Sequence, residues 1–223
     1  LTGRRAQPAL EGRSVEAAAN TPFGARFELV ADARSRPVEI GLIGRHQVDN
    51  ALTALRAAEC WLGPARAAEA FDAMLAALRG VRWRGRLEKV ASRPDLWIDV
   101  GHTPGAVAAA SRAFHDVAPR ERVLAVFGVS ASKDVRRVAA EAARSFDRFI
   151  LTRAHKNGAW VADFADLFPR HASIAADTRE AAALARRHAE AEGLSVLALG
   201  GLFLAAEVAH AWRGGDPREL EFF

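Results

Sequence analysis

Leu96-Trp97-Ile98-Asp99-Val100-Gly101-His102-Thr103-Pro104 is an apolar run that ends in an acid, a glycine and a histidine. An alanine-rich helical pattern opens at Pro104. An apolar run, a polar turn and a helix start in this order describe the carboxyl end of a buried parallel strand, and in open α/β sheets ligands bind outside those ends. Asp99 and His102 then project into a crevice. There a carboxylate can accept hydrogen bonds from ribose hydroxyls, and an imidazole beside it can contact ribose or phosphate. The alternative is local: Asp99 caps the next helix and His102 fills a polar turn.

Working outward, the same alternation recurs. Strands are expected near 87–91, 95–100, 122–128, 148–152 and 195–199, with a shorter one near 172–175. Helices are expected near 104–116, 134–145, 178–190 and 202–212. Alternation of this kind predicts an α/β fold with a mostly parallel, Rossmann-like sheet and right-handed crossovers.

The chain before this region reads differently. Residues 1–20 carry no clear period. Phe27 to Val30 and Val38 to Ile43 read as two strands of a hairpin, joined across Asp32 to Pro37. A helix follows Gly44-Arg45-His46 and stops at Gly63-Pro64, and Pro64 opens a second helix that Gly80 closes. The basic connector Val81-Arg82-Trp83-Arg84-Gly85-Arg86 is the expected boundary, giving domains 1–80 and 81–223. Trp83 is expected to be a buried anchor there. Cys60 is expected to pack in the core of the first helix.

Composition narrows the classes. The chain has 223 residues, 50% hydrophobic and 26% charged, enough to bury a real core. No apolar segment approaches the roughly 20 residues that cross a bilayer, and the polar, arginine-bearing start does not read as a signal peptide. One cysteine excludes an internal disulfide framework and fits a reducing cytoplasm. The net charge of +4 is spread among acids, without the dense basic cluster or aromatic interleaving of a nucleic-acid binder. Lysine is scarce: Lys89, Lys133 and Lys156 are the whole set.

Several residues could carry chemistry. Gln47 and Asn50 lie three apart at a helix start and face the same way, and side-chain amides suit the edge of an adenine ring. A solvent-facing helix start is the competing reading. Arg86, beside Gly85 at the connector, can pair bidentately with a phosphate, or it belongs to an ordinary basic linker. Leu124 to Asp134 is a second apolar strand that ends in a glycine and a polar loop. Lys133 there is a candidate phosphate or carboxylate contact, and Asp134 a helix cap. His155 and Lys156 occupy the corresponding loop after the next strand. His46, His102 and His155 have no zinc-type spacing, so no metal site is assigned. Gly200-Gly201 opens the last helix and can cradle an anion or permit close packing. The chain contains no G-x-x-x-x-G-K-[ST] segment.

These pieces occur in a familiar order. Gly44-Arg45-His46-Gln47-Val48-Asp49-Asn50-Ala51 resembles the G-x-H-Q-x-x-N-A element of folylpolyglutamate synthase and dihydrofolate synthase. Trp83 to Glu88 resembles their W-P-G-R-L-E element, and Asp99 to Pro104 their D-G-A-H-N-P. Val126 to Asp134 is similar to their strand ending in K-D, and Gly200 to Leu204 to their G-S-L-[YF]-L. The resemblance spans about residues 23 to 213. Val100-Gly101, Thr103, Arg84 and Gly201 depart from it, standing for Gly-Ala, asparagine, proline and serine.

The resemblance is to a branch of the Mur ligase superfamily of ATP-dependent acid–amino acid ligases. It implies that ATP phosphorylates a pteroate or folate carboxylate and that the amino group of glutamate attacks the acyl phosphate. Asn50 and Gln47 would contact adenine, and Arg86 the phosphates. Asp99 and His102 would bind ribose or phosphate, and Lys133 would position nucleotide or amino acid, with His102 and Lys133 the catalytic pair. It further implies a cytoplasmic monomer whose phosphate-binding loop and Mg2+ ligands lie upstream. The chain would then be the tail of the central ATPase domain plus the carboxy-terminal ligase domain, inactive alone. Another Mur-type ligase, or a non-catalytic nucleotide-binding module, are the alternatives.

Overall fold

In a computed structural model, residues 13–31, 34–170 and 172–221 are described. The chain forms two compact units, Leu1–Arg82 and Trp83–Phe223.

The first unit is a three-stranded antiparallel sheet, β1 (Arg13–Thr21), β2 (Gly24–Ala31) and β3 (Arg34–Ile40), in the order β1-β2-β3. Helices α1 (Arg45–Leu62) and α2 (Pro64–Gly80) pack against it. Ala25, Phe27 and Leu29 alternate along β2 and meet Val48, Ala51, Leu52 and Leu55 of α1. That is strand period two facing helix period 3.6.

Three expectations change here. The stretch after residue 12 forms β1, although its polar sequence carries no alternation. Residues 1–12 lie outside the described residues. The segment Arg34 to Pro37, expected as a connection, is already strand. Among the described residues β3 pairs only with β2, so Pro37 stands on an edge strand, where sheets tolerate proline. Cys60 is exposed rather than packed. The buried stripe of α1 runs through Val48, Leu52 and Leu55; a step of five residues turns Cys60 well off it.

The second unit is a six-stranded sheet in the order β4-β5-β9-β6-β7-β8. Its strands are β4 (Glu88–Ala91), β5 (Leu96–Asp99), β6 (Val123–Phe127), β7 (Phe149–Leu151), β8 (Ser173–Ile174) and β9 (Ser195–Leu199). Every pairing is parallel except β4 with β5. The crossovers carry α3 (Pro104–His115), α4 (Val135–Ser145) and α5 (Thr178–Glu192), and α6 (Leu202–Trp212) closes the unit. These elements match the expected strands and helices.

Alternation along the strands divides the core. Leu96, Ile98, Leu124, Val126, Val196 and Ala198 face α5 and α6, whose alanines 181, 182, 185, 189, 205 and 209 allow close approach. The opposite face is aromatic. Trp97 meets Phe114 of α3 edge-on at 5.6 Å, and Phe127, Phe149, Phe164 and Phe168 form a cluster. Burying each such ring stabilises the fold by roughly 2–3 kcal/mol.

Candidate functional site

The chain runs β5 to β6, on to β7 and β8, then returns to insert β9 between β5 and β6. That reversal makes a switch point, where the connections leave opposite ways and open a crevice. Asp99 is in register with Leu199, and Leu199 with Phe127. The three strands therefore end level and on one rim. His102 follows β5, Lys133 follows β6 and Gly200-Gly201 follows β9, so all emerge at this rim.

Asp99 is the buried pivot of the first rim loop. It is 4% exposed; Oδ1 accepts the N–H of Gly101 at 2.7 Å and Oδ2 the N–H of Leu87 at 3.1 Å. Burial pushes its carboxyl above the ordinary value, against the two backbone N–H donors and the Arg86 charge that pull it down. The side chain expected to reach a ribose is thus held by the chain's own backbone. Nor does it cap α3: that is done by Thr103, whose Oγ1 accepts from Ala106 N at 3.2 Å. The sequence reading missed this role, although an S/T/N/D residue before Pro104 is its signal.

Arg86 sits between two anchored residues. The Gly85 carbonyl accepts from Val100 N at 2.9 Å, and Gly85 N donates to Glu88 Oε2 at 2.8 Å. Gly85 has φ 69, and a Cβ there would lie 2.5 Å from Val100 Cγ1. This is a position where glycine is required. Trp83, expected to be a buried anchor, is 68% exposed. Val81 to Arg84 are all exposed, and β4 starts only at Glu88.

His102 is exposed, with Nδ1 3.1 Å from the Val100 carbonyl oxygen. Lys133 is exposed in a turn closed by its own N–H to Ser130 O at 3.0 Å. Asp134 caps α4, accepting from Arg137 N. The β6 loop is laced to the β7 loop: Ala131 N donates to Asn157 O at 2.9 Å and Ala159 N to Val129 O at 2.8 Å. A Cβ on Gly201, the uncapped start of α6, would lie 3.2 Å from Ser130 Oγ. A Cβ on Gly200 would lie 2.2 Å from Gly128 O, so the glycine pair lets the ends of β9 and β6 touch.

The β7 loop has an anchor that the sequence did not disclose. Glu207 of α6 is fully buried, and its carboxylate accepts from His155 N at 2.8 Å, Lys156 N at 3.1 Å and Thr178 Oγ1 at 3.0 Å. A lone glutamate on an apolar helix is the only sequence signal, and it needs a partner that only the fold supplies.

In the first unit, Gln47 is buried and Asn50 exposed, and Asn50 Nδ2 donates to Gln47 Oε1 at 3.1 Å. Gln47 Nε2 is 3.1 Å from His46 Nε2. The pair expected to face one way is thus joined directly. Among the described residues no group of three or more His, Cys, Asp or Glu is placed to hold a metal ion. No described helix is long and apolar enough to cross a membrane.

An α/β domain with its polar loops gathered at the carboxyl rim of a switch point is of the ligand-binding, doubly wound class. Residues 85–202 match the family described as Mur ligase, glutamate ligase domain, and the chain belongs to the Mur ligase family. It is 34% identical over 117 residues to dihydrofolate synthase/folylpolyglutamate synthase of Mycobacterium tuberculosis, covering 52% of this chain and 24% of that protein. It is 30% identical over 143 residues to UDP-N-acetylmuramoyl-L-alanyl-D-glutamate–2,6-diaminopimelate ligase of Chlamydia caviae, covering 62% of this chain and 29% of that one. In fold it is similar to M. tuberculosis folylpolyglutamate synthase complexed with ADP and AMPPCP, with a TM-score of 0.76 at 22% identity, over 92% of this chain and 49% of that one. The chain thus spans less than a third of the length of these curated relatives and about half of that solved structure.

Proposed function

We propose that the chain is the carboxy-terminal portion of an ATP-dependent ligase that joins L-glutamate to a pteroate or folate carboxylate. The observation that carries this reading is the level rim of β5, β9 and β6, from which His102 and Lys133 emerge on the same side of the sheet. In the reaction the carboxylate attacks the γ-phosphorus of ATP and ADP leaves. The glutamate amine then attacks the acyl carbon, the amide forms, and phosphate leaves with its electron pair while the amine gives up a proton. The developing charge is on phosphate oxygens, so positioned cations supply most of the stabilisation.

In this reading His102 and Lys133 touch the reacting groups and Arg86 pairs with the nucleotide phosphates. Gln47 and Asn50 contact adenine. Asp99 and His102 bind ribose or phosphate, and Asp99, which also accepts two backbone N–H groups, braces the loops that carry Arg86 and His102. The first unit, residues 1–80 in the sequence reading, is taken as the tail of an ATP-binding domain. The ligands of the Mg2+ that such a ligase uses are assigned, as the resemblance implies, to a portion upstream together with the phosphate-binding loop. The chain alone is then inactive, and the whole enzyme a cytoplasmic monomer acting on ATP, glutamate and a folate.

The similarity to a diaminopimelate-adding ligase over 143 residues supports a second reading, a Mur-type ligase with another acyl and amine pair. Gln47 after His46 favours the folate branch, since the peptidoglycan branch usually carries asparagine there. The test is ADP release by the full-length protein, with glutamate and dihydropteroate or tetrahydrofolate, then with diaminopimelate and a UDP-muramoyl dipeptide. Glutamate-dependent release with a pterin supports the first reading. Release only with the muramoyl substrate replaces it by the second. ADP binding without release in any mixture replaces both by a non-catalytic nucleotide-binding module.

A further inference from the structure

At the β7–β8 edge, two strands away from the crevice, a cavity of about 280 Å³ opens on the same rim. Its wall is cationic: Arg153 and His155 from the loop after β7, Arg179 from the first turn of α5, and Arg218 near the carboxyl end. Two acids line it as well. Asp177 is occupied in capping α5, where it accepts from Glu180 N at 2.8 Å. Asp216 is held by Arg218 at 2.9 Å and is 3.9 Å from Arg179; the Arg218 hydrogen bonds drop its carboxyl to about 2.

Arg153 is the residue that gives the cavity a purpose. It is half-buried, and its guanidinium lies 3.7 Å from the centre of the Trp160 ring, itself 65% exposed. Other arginines of this unit meet carboxylates, as Arg120 meets Asp147, Arg136 meets Asp166 and Arg148 meets Glu192. Arg153 has an aromatic face instead of an anion. Stacking on indole orients the guanidinium plane and leaves its N–H fork open for bidentate pairing with a planar or tetrahedral oxyanion.

We propose that this cavity is a second anion site, separate from the nucleotide crevice, that takes a small molecule bearing a carboxylate or a phosphate. Arg153 grips the anion, Arg179 closes on it from α5, and Trp160 covers an apolar part of the ligand. Its volume lies just below that of ordinary ligand pockets, roughly 300–1,000 Å³, which suits a compact anion. The site shares a wall with the rim: His155 and Thr178, both lining it, are tied through Glu207 to Lys156. Occupancy therefore reaches the loop of Lys156.

The test is calorimetric titration of the 223-residue chain with inorganic phosphate and with glutarate, at low salt. Saturable binding of either, weakened about tenfold in both Arg153→Met and Arg179→Met and unchanged in Arg120→Met, whose guanidinium pairs with Asp147 outside the cavity, supports the site. Which probe saturates tells phosphate from carboxylate. Tryptophan emission gives a readout independent of the arginine variants: it should be quenched on binding in the wild type and not in Trp160→Phe, which removes one of five tryptophans. No saturation below about 10 mM with either probe overturns the proposal, as does binding that Lys133→Met abolishes and Arg153→Met leaves intact.

Discussion

Leu87 donates its backbone N–H to Oδ2 of Asp99 at 3.1 Å, joining two points twelve residues apart. Leu87 is also held at φ 42, in the left-handed region that costs a residue with a side chain about 1–2 kcal/mol. Its buried side chain and this hydrogen bond offset the cost. With Gly85 tied to Val100 on the other side, Arg86 projects from a segment fixed at both ends. A strained, twice-anchored loop is how a fold holds one guanidinium in place.

The burial of Asp99 predicts a pH signature. Its carboxyl is pushed above 3.8, so just above that pH the folded chain binds more protons than the unfolded one. Stability from this group is complete below 3.8 and is lost as pH rises through the folded value. Exposed Asp147 and Asp166 have lowered values and act in the opposite sense, so the informative quantity is the difference from Asp99→Asn. The advantage of the wild type over that variant should be largest near pH 4 and shrink toward pH 7 in urea unfolding. A difference that stays flat with pH would show that Asp99 is not buried as a charge.

Gly85→Ala should destabilise the second unit by about 2–4 kcal/mol, from φ strain and from overpacking against Val100. The two parts separate. Adding Val100→Ala removes the methyl that a Cβ would meet at 2.5 Å, but leaves φ 69 unrelieved. The double variant should therefore recover only part of the loss. Full recovery would mean that the backbone at residue 85 is not strained.

Glu207→Ala leaves two backbone N–H groups and a hydroxyl without their acceptor in a buried place, a loss of about 2–4 kcal/mol. Glu207→Gln keeps one acceptor oxygen and turns an NH2 toward a donor, and should fall between. Hydrogen exchange gives a local check. The amides of His155 and Lys156 should lose protection in both variants while those of β6 keep it. Equal loss throughout the sheet would make Glu207 a general core residue and not the anchor of this loop.

How much of this was legible follows from the kind of signal each feature leaves. The strands and helices after residue 86 repeat a period that sequence carries directly, and Leu96 to Pro104 located the rim. What failed was tertiary. Pro37 looked like a connector because its place on an edge strand is not written locally. Cys60 looked buried because its neighbours are apolar, whereas its five-residue step from Leu55 decides its face. Trp83 looked like an anchor because large aromatics usually are. Glu207 was invisible because its three donors arrive from one distant loop and from the first turn of α5. At the site, the sequence identified the polar residues at the strand ends but not the division of labour between Asp99, which braces, and Thr103, which caps.

That cap supplies a prediction that separates structure from ligand contact. Thr103 Oγ1 accepts from Ala106 N at 3.2 Å, and no other hydrogen bond starts α3 from a side chain. Thr103→Ala should cost about 1 kcal/mol, by loss of the N-cap. Asparagine caps as well as threonine does, so Thr103→Asn should leave the unfolding midpoint nearly unchanged. Asparagine is also the residue that the folate-ligase pattern carries here. Its amide has donors that threonine lacks once the hydroxyl oxygen is committed to the cap. If His102 and its neighbour face a nucleotide, the full-length Thr103→Asn protein should bind ADP more tightly at equal stability. Unchanged ADP affinity alongside an unchanged midpoint would confine residue 103 to capping, and would remove the β5 loop's second residue from the nucleotide contact.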